Sequence, residues 1–219
     1  MRFPAVFLCL LAAGSALAQH DGWTTTPVPQ EGGWKGASGF GWYRAYVKIP
    51  REWQGSRLLL IVDTISDVDE AFFNGAKVGA NGSMPPLFGK PSSNIRRPFV
   101  IEPDQIRFGK ANLIAWRVFN KEGKGGILKG PIHLTRINDA IDLTGQWLFR
   151  RGDVPSWAHW GKNPEAETAS YLRLAGAEHA GHRGVIPADK EWRRQLLSAV
   201  SQHFDGNKNP YARADDKGQ

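Results

Sequence analysis

Apolar and polar residues alternate with the period of a β-strand through most of the middle of the chain. In segment 42–50 every second residue is apolar and shares one strand face: Tyr43, Ala45, Val47 and Ile49. Segment 57–63 is a continuous apolar run, which is typical of a strand covered on both faces. Segment 113–120 alternates again. Because such short segments are separated by Gly, Pro and Asn turns, they predict an all-β fold, an antiparallel β-sandwich or jelly roll.

A β-hairpin is predicted at the centre of this fold, over residues 66–79. Asn74-Gly75 separates two strand-like runs, and this pair favours a type I′ turn with positive φ at both central residues. Three acidic residues lie in the first strand or at its start: Asp67, Asp69 and Glu70. Since neighbouring strand residues point to opposite faces, Asp69 and Glu70 are not expected to line one site.

The character of the chain changes after residue 137, which we take as the end of a sandwich domain over 19–137. Residues 138–204 predict a partly helical C-terminal extension with one strand, 141–150, and one or two helices. The helix candidates are 164–177 and 187–204, and the second has apolar residues at helical spacing. Residues 205–219 are polar and are expected to be a disordered tail.

The first 18 residues predict a signal peptide, with Arg2 before an apolar run and Ala16-Leu17-Ala18 as the cleavage site. We therefore expect an exported protein, secreted, periplasmic or extracellular. Cys9 is the only cysteine and lies inside this segment, so the mature chain is expected to have no disulfide and no thiolate site. No later segment approaches the roughly 20 apolar residues of a transmembrane helix.

The formal net charge is +7. The basic residues are scattered, with adjacent pairs at 96–97, 150–151 and 193–194. This distribution favours a solvated basic surface and predicts no nucleic-acid partner. A weak attraction to acidic polysaccharide or to the cell envelope is left open.

Several motifs in a fixed order carry a family resemblance: Trp42-Tyr43-Arg44, Ile49-Pro50, Trp53, Leu58–Leu60, Asp69, Asn74-Gly75, Val78-Gly79, Gly109–Ala115 and Arg117-Val118. This succession resembles the sugar-binding jelly-roll domain of glycoside hydrolase family 2, a galactose-binding-like domain. Gly125-Gly126-Ile127 and Gly130-Pro131 are similar to the closing segment of the accessory domain of sialate O-acetylesterases. The resemblance covers about residues 21–137.

In these families the sandwich accompanies a catalytic module. Family 2 catalysis uses two glutamates of a separate barrel of ~250 residues, for which this chain has no room. The esterases use a serine in a Gly-Asp-Ser type motif, which this sequence lacks. The resemblance therefore implies a non-catalytic carbohydrate-binding module with a glycan as its partner. Two alternatives stay open: an accessory fragment or subunit of a glycosidase or carbohydrate esterase that works with a catalytic hydrolase partner, and a structural cell-envelope domain.

Six residues are predicted to contact carbohydrate: Trp42, Arg44, Asp67, Asp69, Asn120 and Trp157. Sugar rings stack on indole faces, and carboxylates and amides exchange hydrogen bonds with sugar hydroxyls. Structural roles compete with this interpretation, because a tryptophan also fills a sandwich core and Asp69 is able to pair with a strand arginine such as Arg44 or Arg117.

The acidic residues of the hairpin have a further candidate role. Asp67, Asp69 and Glu70 carry the oxygen ligands that Ca²⁺ prefers, so a structural Ca²⁺ is an open alternative to sugar contact or turn capping. We predict no other cofactor, no other metal site and no catalytic residue.

Overall fold

The computed structural model describes residues 22–34, 38–89, 97–136, 139–175 and 185–187. These residues form two antiparallel sheets, which confirms the predicted all-β sandwich. The elements are β1 (Thr24–Val28), β2 (Gly39–Lys48), β3 (Leu58–Ser66), β4 (Val68–Phe73), β5 (Ala76–Asn81), β6 (Arg97–Ile101), β7 (Ala111–Asn120), β8 (Gly126–Arg136), β9 (Asp139–Asp142), β10 (Gly145–Arg151), α1 (Pro164–Ala175) and β11 (Val185–Pro187). Short 3₁₀ turns occupy Arg51–Trp53, Pro103–Gln105 and Pro155–Ala158.

The first sheet has the strand order β1-β10-β2-β7-β4-β5, and the second has the order β11-β9-β8-β3-β6. Strand β10 therefore lies between β1 and β2, and β9 extends the second sheet beside β8. The expected boundary at residue 137 is corrected by this topology, because strands on both sides of it share the same sheets. The extension also contributes three strands, β9, β10 and β11, instead of one.

The core lies between the two sheets and follows the predicted alternation. The inward residues of β2, which include Tyr43 and Val47, share one buried cluster with Trp116 of the neighbouring strand β7 and with Leu60 of β3 in the opposite sheet. Each fully buried side chain of this size contributes about 1.5–3 kcal/mol relative to an exposed one. The other face of β2 carries Trp42 and is covered by the segment that follows β10.

The predicted hairpin is confirmed, with β4 and β5 joined by Asn74 (φ 50°) and Gly75 (φ 90°). The Asn74 side chain also fastens the turn to its surroundings. Its Nδ2 donates to the Gln105 carbonyl and to Asn112 Oδ1, and its Oδ1 accepts from the Leu113 amide. The turn residue thus links the hairpin to the start of β7.

The segment after β10 packs on the outer face of the first sheet. Ala158 lies against Trp42 and Ala115, and Tyr171 of α1 lies against Tyr46 and other buried residues. The side-chain oxygen of Asn163 accepts from the Ala166 amide and so caps the start of α1.

The two predicted helices have different outcomes. The first is confirmed over residues 164–175. The second lies outside the described residues except for Pro187, which ends β11 beside β9 and does not begin a helix. The signal peptide and the polar tail also lie outside them. In the described ranges, no helix has the length and apolarity needed to cross a membrane.

Candidate functional site

Asp69 lies in the core and not at the surface. Its side chain is fully buried and accepts a hydrogen bond of 2.8 Å from the indole Nε1 of Trp116. Arg44 and Arg117 lie on the outer face of the same sheet, where they pair with other carboxylates. The sequence-based pairing of Asp69 with one of these arginines is thus corrected: alternation turns Asp69 toward Trp116.

Trp42 and Arg44 lie beneath the C-terminal segment. Trp42 is fully buried against Ala158 and stacks on Phe72. Arg44 forms an ion pair with Glu167 of α1 and donates to the His159 carbonyl. Because this packing leaves no open face for a sugar ring, we leave Trp42 and Arg44 out of the candidate site.

Trp157 is half-buried at the edge of the same cluster. The guanidinium of Arg150 lies 4.4 Å from the centre of its ring, and Trp23 meets it edge-on at 5.3 Å. A sugar ring stacking on the Arg150 side would have to displace that guanidinium. Trp157 therefore helps to attach the C-terminal segment to the sheet and does not offer an open face for sugar stacking.

Asp67 and Asn120, two of the six residues predicted to contact carbohydrate, come together at one end of the sandwich. Asp67 Oδ2 accepts from the Lys121 amide at 2.9 Å, and its Oδ1 accepts from the Ser66 hydroxyl at 3.0 Å. Asn120 is fully buried and donates to the Gly123 carbonyl, while its Oδ1 has no hydrogen-bond partner in the described part of the chain. Of the two, only Asp67 reaches the surface.

Three half-buried phenylalanines adjoin Asp67 at this end. The rings of Phe40 and Phe119 lie 4.9 Å apart, and Phe88 meets Phe119 edge-on at 5.5 Å. The ammonium group of Lys121 lies 5.5 Å from the centre of the Phe88 ring. We call Phe40, Phe88, Phe119, Asp67 and Lys121 the phenylalanine surface.

Sequence reasoning missed these phenylalanines because it weighed the tryptophans as the stacking residues. Strand alternation could have indicated Phe40 and Phe119, since both lie at strand ends on the face opposite the core. No sequence pattern indicated Phe88, because it lies in a Pro/Gly-rich loop without periodicity.

An ion-pair network borders the phenylalanine surface. Arg117 makes two hydrogen bonds of 2.7 Å to the carboxylate of Asp153 and one of 2.9 Å to Glu70, and its guanidinium lies 4.7 Å from the centre of the Phe40 ring. Burial opposes ionisation of Glu70, but hydrogen bonds from Lys77 and Arg117 outweigh it and lower the Glu70 pKa. The network holds Asp153, and with it the start of the C-terminal segment, against the sheet.

Replacing Glu70 with glutamine should make the protein less sensitive to acid. Because the Glu70 pKa is lower in the folded than in the unfolded chain, its contribution to stability is present above the unfolded pKa and is lost as the pH falls through the folded pKa. The free energy of unfolding of the wild type, measured by urea titration, should therefore fall more steeply below about pH 4.5 than that of Glu70→Gln. The exposed Glu122→Gln serves as control, and equal acid slopes for wild type and Glu70→Gln would contradict the prediction.

The carboxylates of the hairpin do not fit the structural Ca²⁺ site considered from the sequence. Asp69 is in the core, Glu70 is on the outer face in ion pairs, and both Asp67 oxygens accept hydrogen bonds from protein groups. Over the described ranges, no three His, Cys, Asp or Glu side chains come together. Three such separated carboxylates do not surround one cation.

No family model matches the chain. It is similar to a β-glucuronidase from Formosa agariphila, 27% identical over an aligned length of 159 residues that covers 59% of this chain and 14% of that protein. The chain therefore spans a small part of that relative's length.

Solved structures of the same kind also match. A family 2 glycosyl hydrolase from Bacteroides cellulosilyticus matches 52% of this chain and 13% of its own, at 21% identity and a TM-score of 0.35. A β-glucuronidase from glycoside hydrolase family 2 matches 54% of this chain and 12% of its own, at 19% identity and a TM-score of 0.37. The similarity to sialate O-acetylesterases stays a prediction. The predicted resemblance to glycoside hydrolase family 2 is confirmed as a similarity, since members of that family match about half of this chain.

Proposed function

We propose that this chain is an exported, non-catalytic carbohydrate-binding module related to glycoside hydrolase family 2, and that it contacts glycan through the phenylalanine surface. The observation that carries the proposal is the grouping of half-buried aromatic rings with an acidic and a basic side chain at one end of the sandwich. The similarity to glycosidases supports carbohydrate as the ligand class.

The chemistry of this surface suits a sugar. Aromatic faces accept the C–H side of a pyranose ring, and the side chains of Phe88 and Phe119 are only half-buried. Each Asp67 oxygen accepts one hydrogen bond from the protein and, when ionised, keeps a lone pair for a sugar hydroxyl, whereas Lys121 only donates. The pair can therefore accept from one hydroxyl and donate to another. The phenylalanines supply contact area, and the charged pair supplies orientation.

A second function, as an accessory part of a glycosidase, is supported by a different observation. The relative from Formosa agariphila is named a β-glucuronidase, and this chain matches only 14% of it. In this role the chain would present glycan to a catalytic hydrolase partner. Hydrolysis of a chromogenic glucuronide by the purified chain alone would overturn the non-catalytic proposal.

Replacing Phe88 with alanine should weaken glycan binding. The expected loss is about twofold to twelvefold in Kd, the equivalent of one aromatic contact of about 0.5–1.5 kcal/mol. A glycan array would first identify a neutral oligosaccharide bound by the wild type, and isothermal titration calorimetry would then compare the variants. Asp67→Asn should weaken binding in the same direction.

Val154→Ala is the matched control, because it removes an apolar side chain that is 38% exposed outside the phenylalanine surface. Its Kd should equal that of the wild type. An array without any bound glycan, or equal affinity of Phe88→Ala and wild type, would contradict the proposal. The first result would favour the structural cell-envelope alternative.

A further inference from the structure

A basic groove lies at the other end of the sandwich, between helix α1 and the turn that precedes β7. It has a volume of about 350 Å³ and is lined by residues that include Arg107, Lys110, Ala111, Pro164, Glu165 and Leu172. Strands β2 and β7 are ten residues long, so the groove lies about 30 Å from the phenylalanine surface at about 3.3 Å per residue. The two places are therefore separate sites.

A second depression continues the groove across the same turn. It has a volume of about 460 Å³ and is lined by Lys48, Arg51, Glu52 and Gly109. Gly109 and Lys110 are neighbours, and the Gly109 amide donates to the Ile49 carbonyl at 2.7 Å, so one turn forms the wall between the two depressions. Together they present four basic side chains and two acidic ones: Lys48, Arg51, Arg107 and Lys110, with Glu52 and Glu165.

The turn that carries two of these cations, Arg107 and Lys110, is held from below by a buried amide. Asn112 is fully buried; its Oδ1 accepts from the Arg107 amide at 2.8 Å, and its Nδ2 donates to the carbonyls of Arg107 and Lys110 at 3.1 and 3.0 Å. The guanidinium of Arg107 also lies over the Trp160 ring at 5.3 Å. The backbone positions of the turn cations are thus fixed before a ligand arrives, which lowers the ordering cost of binding.

We propose that this basic groove binds an acidic oligosaccharide, a glycan that carries carboxylate or sulfate groups on its sugar rings. The basic side chains would pair with the anionic groups, and the aliphatic surface of Ala111, Pro164 and Leu172 would contact the rings. Two lining carboxylates, Glu52 and Glu165, can accept from sugar hydroxyls but would repel the dense charge of a polyphosphate. This mixed lining favours an acidic glycan over nucleic acid.

The proposal goes beyond carbohydrate binding at the phenylalanine surface and does not depend on it. A neutral glycan bound at one end and an acidic glycan bound at the other are separately measurable. Arg51 and Lys110 are both exposed, so their replacement should leave the fold intact.

The test is calorimetric titration of the full chain with oligogalacturonate, with a sulfated oligosaccharide and with neutral maltohexaose, at low and at physiological salt. The wild type should bind at least one acidic probe, more weakly at the higher salt because exposed charges are screened. Arg51→Gln combined with Lys110→Gln should weaken that binding about tenfold or more, as expected for two charge-assisted contacts. The tighter of the two acidic probes identifies the anionic group.

The matched control combines Lys124→Gln with Lys129→Gln, which removes the same net charge at exposed positions outside the groove. This control should bind the acidic probe like the wild type, and so should Phe88→Ala. Equal weakening by the control, or no binding of either acidic probe, would overturn the proposal. Tighter binding of a single-stranded oligonucleotide than of both acidic glycans would overturn it too. Failure of the wild type to bind any neutral glycan, with acidic-probe binding intact, would count against the phenylalanine surface and not against the basic groove.

Discussion

Asn112→Ala should lower the free energy of unfolding by about 3 kcal/mol, because it removes a fully buried amide that satisfies several other groups. The Arg107 amide loses its acceptor, the Arg107 and Lys110 carbonyls lose a donor, and Asn74 loses one of its partners. Alanine offers no replacement for any of these hydrogen bonds. Urea unfolding followed by tryptophan fluorescence measures the change.

The matched control for Asn112→Ala is Gln54→Ala, which shortens an exposed amide side chain at the same end of the sandwich. It should change the free energy of unfolding by less than about 0.5 kcal/mol. Equal stability of Asn112→Ala and wild type would show that the turn before β7 does not depend on this amide. It would also show that this amide does not hold the basic groove in place before binding.

Glu167→Ala should be comparably destabilising and should loosen the C-terminal segment from the sheet. Glu167 accepts from Arg44 and, at 2.7 Å, from the Tyr46 hydroxyl through Oε1, and from the Gly161 amide through Oε2. The side chains of Arg44 and Glu167 are only 8% and 17% exposed, so the arginine would be left as an unpaired, mostly buried charge. We expect a loss of about 3 kcal/mol in the free energy of unfolding.

Two further variants separate this prediction from a general effect of removing charge. Arg57→Ala breaks an ion pair whose side chains are 43% and 47% exposed, and it should cost less than about 1 kcal/mol. Arg44→Leu combined with Glu167→Leu replaces both buried charges and should recover much of the loss, because no unpaired charge remains. A Glu167→Ala variant as stable as Arg57→Ala would contradict the assigned role of the pair.

Strand alternation predicted the sandwich and its hairpin because it is a local signal. The separation of Asp69 from Glu70 follows from it, and the structure turns one toward Trp116 and the other toward Arg117. The boundary expected at residue 137 was wrong because the pairing of the last strands is not a local signal. Strand β10 joins β1, more than a hundred residues earlier in the chain, and no local pattern encodes that pairing.

The candidate site was harder to predict than the fold for the same physical reason. Trp42 and Arg44 look like surface residues because they lie opposite the core face of β2. They are buried only because a segment more than a hundred residues later packs over them, through Ala158 and Glu167. The basic groove was equally hidden, since its cations become neighbours only when α1 docks beside the turn before β7.

NMR mapping would locate a bound glycan on the protein and so determine whether it lies at the phenylalanine surface. Amide chemical shifts of the labelled protein would be followed during titration with the neutral oligosaccharide selected on the array. We expect the largest shifts to cluster at Asp67, Phe88, Phe119 and Lys121, with little change around Arg107 and Lys110. Shifts confined to another part of the molecule, or no shift at a saturating concentration of that oligosaccharide, would contradict it.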